Sequence, residues 1–236
     1  MNTRHKLIYF LAQNTALSKR EAKIALETGR VKLNQLVQFT NELIKPYDSV
    51  FLDDICILNG ERFVYYKYYK PPGIECTLNK SIPESLSNLL GVAYDHLFYV
   101  GRLDKDSEGL LLLTNDGFIY NKIINPTQKI NKQYIVQVEN EINNDFKIKM
   151  ESGVNILGTQ TLACQVDLLD SNTFVINLTQ GLNRQIRRMC FKLGNYVTSL
   201  KRLSIGQIKL NQLKPGELML LDKEEIAWLK NLTKVN

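Results

Sequence analysis

The sequence predicts an α+β protein made of a small N-terminal unit and a larger domain built on a mixed, mostly antiparallel sheet. Three observations support this fold class. The chain opens with helix patterns, strand patterns follow one another from Arg62 onward, and helices interrupt those strands without a regular strand, helix, strand alternation. Because neighbouring parallel strands need a long crossover connection, the missing alternation favours antiparallel pairing.

The N-terminal unit is predicted to contain two helices and a strand. Residues 4–13 have amphipathic spacing. The sequence SKRE at residues 18–21 is a capping box that opens a second helix, and Gly29 is placed to end that helix. A short strand, RVKLN, follows at residues 30–34.

A basic surface is predicted on the same unit. Helical spacing places three cations on one face of the second helix, and two more follow it, the five being Lys19, Arg20, Lys23, Arg30 and Lys32. Such a surface is either a solvated basic face or a phosphate-binding surface, and charge alone favours neither.

The larger domain begins after a turn-rich stretch and a linker that we place near residues 58–62, so we expect domains over residues 1–58 and 62–236. Alternating, aromatic-rich segments predict strands at 62–70, 132–139, 162–169, 173–179 and 196–210. Helix patterns occur at 116–124, 143–151, 183–193 and 223–231.

Composition limits the possible functions. Thirty Lys and Arg against 24 Asp and Glu give a net charge of +6 and a pI near 9.0, which favours a polyanionic partner such as nucleic acid. The four cysteines form no CxxC pair, and the two histidines lie outside any HExxH pattern, so metal sites, disulfide frameworks and Ser/His chemistry have no support. The chain has neither a dinucleotide nor a P-loop motif, and we expect no cofactor and no metal.

The expected location is the cytoplasm. The apolar run LIYFLA at residues 7–12 is too short for the core of a signal peptide, and no stretch approaches the ~20 apolar residues of a membrane span. Cysteines that are far apart in the sequence fit a reducing compartment. We therefore expect a protein that has no membrane partner.

The stretch GRLDKDSEGLLLLTNDG at residues 101–117 carries the main functional signal, because three acids precede four leucines. From Asp104 onward the spacing imitates an EF-hand calcium loop. The twelfth position, however, is Asn115 instead of Glu, and leucines occupy places where further oxygen ligands belong. The alternative is a catalytic carboxylate held at the mouth of a buried strand.

A catalytic carboxylate needs a nearby cation to stay ionised in a buried setting. The helix pattern GLNRQIRRMCFKLG at residues 181–194 offers one, since its apolar face leaves Arg184, Arg187 and Arg188 outside and places Arg187 at the border. The same pattern is also typical of a basic helix that lies on RNA, so both roles stay open at this point.

Four motifs resemble those of the bacterial pseudouridine synthases of the RsuA/RluB/RluE/RluF group. GRLDKDSEGLLLLTNDG is similar to their catalytic motif, QGLNRQIRRM to their arginine motif, KPPGIECT (70–77) to their KPxG segment, and NKQYIVQV (131–138) to their KxY strand. The N-terminal unit resembles the αL-type RNA-binding domain of these enzymes. GVNILGT (153–159) together with QGLNRQIRRMC looks most like the RluF branch, which modifies large-subunit rRNA.

The resemblance implies roles for individual residues. Asp104 would be the catalytic residue, Arg187 its salt-bridge partner, and Tyr134 the aromatic side chain that packs against the target base. Arg102 would lie beside the RNA and help to hold the duplex open where the base has left it. The RNA-binding residues would then be Arg102, Lys19, Arg20, Lys23, Arg30, Arg184 and Arg188.

The reaction implied is isomerisation of a specific uridine in 23S rRNA to pseudouridine by a catalytic aspartate after base flipping. We expect ribosomal RNA as the partner, with tRNA as a further candidate substrate, and a monomeric enzyme. Alternatives are a pseudouridine synthase acting on 16S rRNA or tRNA, a noncatalytic RNA-binding ribosome assembly factor, and a hydrolase using Asp104 and Glu108 as an acid/base pair. The resemblance itself gives Asp106 and Glu108 only a role in capping or positioning the loop.

Overall fold

The computed structural model describes residues 6–44, 48–58, 60 and 63–232, apart from the side chains of Phe118 and Pro126. The chain divides into two compact units, Met1–Phe63 and Val64–Asn236. The linker expected near residues 58–62 lies beside this division, and three of its residues are outside the described ranges. No helix within these ranges is long and apolar enough to cross a bilayer.

The first unit contains two helices and a small antiparallel sheet. Its elements are α1 (Leu7–Asn14), α2 (Lys19–Glu27), β1 (Val31–Leu33), β2 (Leu36–Val37), β3 (Val50–Leu52) and β4 (Ile55–Leu58), with the strands in the order β2-β1-β3-β4. The predicted capping box is confirmed, because Ser18 Oγ accepts from the backbone N–H of Glu21 and the Glu21 carboxylate accepts from the N–H of Ser18. Gly29 follows α2 in the left-handed conformation, as a helix end often requires.

The core of the first unit lies between its helices and its sheet. Leu7 and Leu11 of α1 are buried against the small residues Ala22 and Ala25 of α2, and Val31 of β1 belongs to the same cluster. Alanines at these positions let the two helix backbones approach closely. The unit therefore has its own apolar core.

The second unit is built on one nine-stranded sheet. Its strands are β5 (Tyr65–Lys70), β6 (Phe98–Val100), β7 (Glu108–Thr114), β8 (Lys132–Val138), the separate hairpin β9 (Asn155–Ile156) and β10 (Thr159–Gln160), then β11 (Gln165–Leu168), β12 (Thr173–Leu178), β13 (Val197–Ile205), β14 (Ile208–Lys209) and β15 (Leu218–Leu220). The order is β11-β12-β8-β13-β7-β5-β15, with β14 beside β13 and β6 beside β7. Among the paired strands of the described residues, β13 and β7 form the one parallel pair of this sheet, so the predicted mixed, mostly antiparallel sheet is confirmed.

Helices cover part of this sheet. They are α3 (Leu86–Leu90), α4 (Gly117–Ile124), α5 (Asn144–Glu151), α6 (Gln185–Lys192) and α7 (Lys223–Leu232). The main core joins α5 and α6 to β8 and β12, and Phe146 of α5 meets Phe174 of β12 edge to face, with ring centroids 5.6 Å apart. The four predicted helices of this unit are confirmed, with ends shifted by at most two residues.

The strand predicted over residues 196–210 is wrong in one respect, because it is two strands. The chain reverses at Gly206 (φ +56) and Gln207, so that β14 folds back on β13. A Cβ at Gly206 would lie 2.0 Å from the ring of Trp228, so the indole of α7 occupies the space that a side chain would need. The alternating pattern continues through the turn, which is why periodicity alone did not show it.

A buried ion pair attaches α7 to the sheet. The Lys67 ammonium of β5 lies 2.7 Å from Glu225 Oε1, both side chains are almost fully buried, and Glu225 Oε2 accepts from the N–H of Asp222. We expect Lys67→Met to lower the free energy of unfolding by about 3 kcal/mol, because it leaves a buried carboxylate without its cation. Urea denaturation followed by fluorescence of the single tryptophan, Trp228, measures this loss.

The matched control is Lys80→Met. Lys80 also pairs with a carboxylate, that of Asp95, but both side chains are about half exposed. Its loss should therefore cost less than about 1 kcal/mol. Equal losses in the two variants would contradict the structural role given to the buried pair.

Candidate active site

The site lies where two strands share one edge of β7. The start of β7, at Glu108 and Gly109, pairs with β13, whereas its end, from Leu112 to Thr114, pairs with β6. Between these two stretches the edge of β7 has no neighbouring strand. The loop 101–107 connects β6 to β7 at this opening, so the fold presents the loop at a gap in the sheet.

The side chain of Arg202, on β13, lies at this gap. Its guanidinium is buried, and it donates from Nε to the carbonyl of Leu110 at 2.7 Å and from Nη1 to the carbonyl of Arg102 at 3.5 Å. The first bond satisfies a β7 carbonyl that faces the opening. Gly109 permits the backbones of β7 and β13 to approach closely here, because a Cβ at this position would lie 2.4 Å from the Arg202 carbonyl oxygen.

Lys70 of β5 holds the loop 101–107 through hydrogen bonds to its backbone. Its fully buried ammonium donates to the carbonyls of Lys105 and Ser107, at 3.2 and 2.7 Å, and to that of Pro71 at 2.9 Å. Burial lowers the pKa of this ammonium, while nearby carboxylates and Cys76 act in the opposite direction. The loop also closes on itself, because the N–H of Ser107 donates to the Asp104 carbonyl at 3.0 Å.

Arg187 of α6 provides a third support for the loop. Its Nη2 donates to the carbonyl of Asp106 and to Ser107 Oγ, both at 3.3 Å, and its Nη1 donates to the carbonyl of Val197 at 3.1 Å. Burial lowers the pKa of the guanidinium, and the charge of Arg184 adds to that effect. Arg187 thus joins the loop to the start of β13.

The ion pair of Asp104 differs from the predicted one. Arg184 Nη1 lies 3.5 Å from Asp104 Oδ2, and both side chains are partly exposed, whereas Arg187 bonds to the loop backbone and to Ser107. The reason is local geometry. Arg184 precedes α6 in the left-handed conformation (φ +49, ψ +36), which directs it to the carboxylate, while Arg187 lies one turn further along the helix.

A cleft of about 370 Å³ opens above this loop. Of the predicted site residues it is lined by Asp104, Arg102, Tyr134 and Arg184. Tyr134 lies on β8 between Ile176 of β12 and Arg202 of β13. The tertiary structure therefore brings together, around one cleft, residues that the sequence spreads over more than 80 positions.

The remaining acids of the loop are arranged differently. Glu108 does not line the cleft, and its Oε2 accepts from the Tyr69 hydroxyl at 2.5 Å. The Asp106 carboxylate is exposed, and only its backbone carbonyl meets Arg187. Within the described ranges, no three His, Cys, Asp or Glu side chains come together as metal ligands would.

The other predicted RNA-binding cations lie elsewhere. Arg188 is outside the cleft and donates to the carbonyl and to Oδ1 of Asn183. In the first unit, the Lys19 ammonium lies 5.2 Å from the ring centroid of Tyr9, Lys23 and Arg20 are exposed, and Arg30 pairs with Asp53. The hydrogen bond from Arg30 lowers the pKa of the Asp53 carboxyl. Because Asp53 neutralises the charge of Arg30, α2 is the more positive part of the predicted surface.

Sequence reasoning missed three cations of the site. Lys70 appeared only as part of a motif, and Arg202 only as part of a strand pattern. Lys132 also lines the cleft, where burial and the charge of Arg202 lower its pKa. A lysine or arginine within an apolar strand is a usable signal, because burying such a charge requires several acceptors.

This fold, with an acid presented on an immobilised loop above a basic cleft, defines a class of RNA-modifying enzyme. Residues 64–192 match the family described as RNA pseudouridylate synthase, and the chain belongs to that family. The resemblance found in the sequence is thereby confirmed. The protein is an enzyme that isomerises uridine in RNA to pseudouridine.

Individual relatives cover nearly the whole chain. The dual-specificity RNA pseudouridine synthase RluF of Escherichia coli is 35% identical over 96% of this chain and 79% of its own length. The ribosomal small subunit pseudouridine synthase A of Vibrio vulnificus is 32% identical over 94% of this chain and 97% of its own. A crystal structure of a pseudouridylate synthase superimposes with a TM-score of 0.68 at 28% identity, covering 95% of this chain and 99% of that one.

Proposed function

We propose that this enzyme modifies a specific uridine of large-subunit (23S) ribosomal RNA, with Asp104 as the catalytic residue and the target base flipped out of its stack. The observation that carries the proposal is the Asp104 carboxylate, which lines the cleft on a loop held by Lys70 and Arg187. The likeness to the RluF branch supports the choice of large-subunit rRNA.

The proposed reaction conserves every atom of the nucleotide. The bond from N1 of uracil to C1′ of the ribose breaks, the base turns within the cleft, and C5 bonds to C1′. The proton on C5 is then lost and N1 gains one. Asp104 serves as a nucleophile toward the ribose or the base, or as a base that removes a ribose proton, and each route needs an ionised carboxylate. Arg184, 3.5 Å away, stabilises that negative charge.

The target base has to leave its stack to reach Asp104, at a cost of a few kcal/mol. We propose that packing against Tyr134 inside the cleft and contacts between cations and phosphates offset this cost. Arg102, exposed beside Asp104, would occupy the space that the base leaves. A carboxylate that is already fixed by its backbone then meets the flipped nucleotide with little reorganisation.

Three alternatives have specific observations for or against them. The hydrolase mechanism has no second acid in the cleft, because Glu108 accepts a hydrogen bond from Tyr69 and lies outside the cleft. A 16S rRNA target is favoured only by the likeness to the small-subunit enzyme of Vibrio vulnificus, and a second substrate such as tRNA only by the likeness to the dual-specificity enzyme of Escherichia coli.

The test is pseudouridine mapping of total RNA by carbodiimide-dependent reverse-transcription stops, in cells with and without the gene. We expect one stop in large-subunit rRNA to disappear, to return with the wild-type gene, and not to return with Asp104→Asn. A lost stop in 16S rRNA or tRNA would move the target there. If all stops persisted, a ribosome assembly factor would become the better interpretation.

Removing residues 1–58 should weaken RNA binding but spare the fold of the second unit. The deleted part carries Lys19, Arg20 and Lys23, and its core is separate from the core around β8 and β12. We expect roughly 10- to 100-fold weaker binding near 0.1 M salt, because several phosphate contacts are lost. Filter binding measures the affinity, and a cooperative Trp228 transition in urea reports the fold. A missing transition would show that this domain boundary is wrong.

We also propose that the enzyme acts as a monomer in the cytoplasm. All four cysteines are free thiols, which fits a reducing compartment. Light scattering of the purified protein, alone and with RNA, tests the oligomeric state.

A further inference from the structure

Helix α6 borders a second depression besides the catalytic cleft. Gln185 and Ile186, at the start of α6, line the catalytic cleft together with Arg184. Further along the helix, Arg188, Phe191 and Lys192 line a separate groove of about 390 Å³. The opposite wall is formed by residues 155–158 of the β9–β10 hairpin. We call this depression the outer groove.

The outer groove is flanked by exposed apolar and aromatic side chains. Phe191 is 58% exposed and meets Tyr196, which is 56% exposed, edge to face with ring centroids 5.6 Å apart. Leu157, on the hairpin wall, is 65% exposed, and the neighbouring Ile156 is buried. Contiguous exposed apolar surface of this kind is typical of interaction sites.

The hairpin wall has an unusual backbone. Leu157 (φ +51) and Gly158 (φ +75) form its two-residue turn in the left-handed conformation, where Asn and Gly are the favoured residues. A residue that carries a Cβ is destabilised in this conformation by contact between the Cβ and its own backbone. Exposing a strained leucine beside the groove is hard to explain by stability, and strain of this kind tends to occur at functional sites.

The charge around α6 indicates the kind of partner. Residues 171–216 contain no Asp or Glu, and their eight cations are Arg184, Arg187, Arg188, Lys192, Lys201, Arg202, Lys209 and Lys214. Hydrogen bonds to Asn183 hold the Arg188 guanidinium through Nε and Nη2, which leaves its Nη1 available. Exposed aromatic rings beside cations are the combination that binds single-stranded nucleic acid, through base stacking and phosphate contacts.

We propose that the outer groove binds an unpaired nucleotide of the RNA substrate outside the catalytic cleft, with its base stacked on Phe191 and in contact with the neighbouring Tyr196. Arg188 and Lys192 hold the adjoining phosphates. This inference rests on the proposed function, since the same RNA occupies both sites. It deepens that function, because a single-stranded segment near the target uridine then contributes to substrate choice.

The first test measures RNA affinity without turnover. All variants carry Asp104→Asn, and the probe is a transcript of the rRNA region that contains the mapped uridine. We expect Phe191→Ala/Tyr196→Ala to weaken binding about 5- to 100-fold, the range for the loss of one stacked base. Lys192→Ala should lower the slope of log affinity against log salt by about 0.7, because one phosphate contact is lost.

The matched control is Val92→Ala in the same background. Val92 is 81% exposed and apolar, and it lies in the second unit outside α6 and the hairpin. Its removal should leave RNA affinity within about twofold. Thermal unfolding of each variant checks that the groove variants remain folded, since Phe191 and Tyr196 are largely in solvent.

The second test identifies the stacked base. Abasic residues replace each unpaired nucleotide around the target, one at a time. In the Asp104→Asn protein, an abasic residue at one position of the RNA should weaken binding. In the variant that also carries Phe191→Ala/Tyr196→Ala, the same abasic residue should weaken binding little further, because the aromatic rings that contact the base are already absent.

Two results would overturn the inference. One is unchanged RNA affinity in the folded double variant, and the other is additive loss at every abasic position. If the double variant lowered modification only in assembling subunits and left binding to naked RNA intact, the groove would bind a protein instead. The proposed rRNA target is tested separately, by the mapping experiment. If mapping identifies a different RNA, the stacking test is made with that RNA.

Discussion

Asp104→Asn is expected to lower pseudouridine formation more than about 10³-fold while RNA affinity stays within a few-fold. Acid–base or nucleophilic groups contribute on the order of 10²–10⁴ to such rates, and an amide of the same shape supplies neither function. Binding should survive because the loop is held through its backbone by Lys70, Arg187 and Arg202, none of which needs the Asp104 carboxylate. Single-turnover assays and filter binding with the same transcript measure both quantities.

Asp106→Asn is the matched control for this prediction. It makes the same chemical change two residues away, at a carboxylate that is exposed and does not line the cleft. Product formation should stay within about twofold of wild type. Comparable losses in the two variants would show that the loop responds to charge in general, and loss of RNA binding in folded Asp104→Asn would contradict the assigned role.

Arg187→Gln is expected to lower kcat by about 10²- to 10³-fold and to destabilise the second unit. The shorter side chain cannot span from the Val197 carbonyl to the Asp106 carbonyl and Ser107 Oγ, so two part-buried hydrogen bonds and one exposed hydrogen bond are lost, at about 1–3 kcal/mol in total. For a unit of this size that loss corresponds to a fall in Tm of roughly 2–10 °C. The catalytic loss follows because a misplaced carboxylate reacts slowly even when it is ionised.

Arg184→Gln provides the comparison, because Arg184 forms the ion pair with Asp104 but supports nothing else in the loop. We expect kcat to fall only about tenfold, KM to rise, and Tm to change little. Steady-state kinetics and thermal unfolding on both variants separate the two roles. If Arg184→Gln were the more damaging to kcat, the ion pair would contribute more to catalysis than the loop support that Arg187 provides, which would contradict this prediction.

The two arginines show how a family motif and a tertiary structure complement each other. The motif indicated that the helix 183–193 serves the aspartate, and this holds, because both Arg184 and Arg187 act on the loop 101–107. It indicated Arg187 as the salt-bridge partner of Asp104, whereas in the structure Arg184 meets the carboxylate. That depends on the left-handed conformation of Arg184, a backbone property that periodicity does not report.

Local signals predicted much of the fold. The capping box at Ser18, the strand at 132–139 and the helix at 143–151 all appear within two residues of the expected bounds. Each depends on neighbours in sequence, such as a side chain that caps its own helix or a side-chain period of two residues. The hairpin at Gly206 was missed because the alternating pattern continues through the turn, and the contact of Gly206 with Trp228 joins residues more than 20 positions apart.

The sequence by itself determined the fold class and the family, and it indicated Asp104 as the candidate catalytic residue, because these depend on local patterns and on motifs of contiguous residues. Only the tertiary structure decided how the loop that carries the carboxylate is held and which residues line the cleft. The parallel pairing of β7 with β13, the gap that Arg202 fills, and the buried contacts of Lys70 all join residues about 30 to 100 positions apart. Such contacts arise when separate segments bury their apolar faces against one another, and the charged groups buried with them must then find acceptors wherever the packing has brought them.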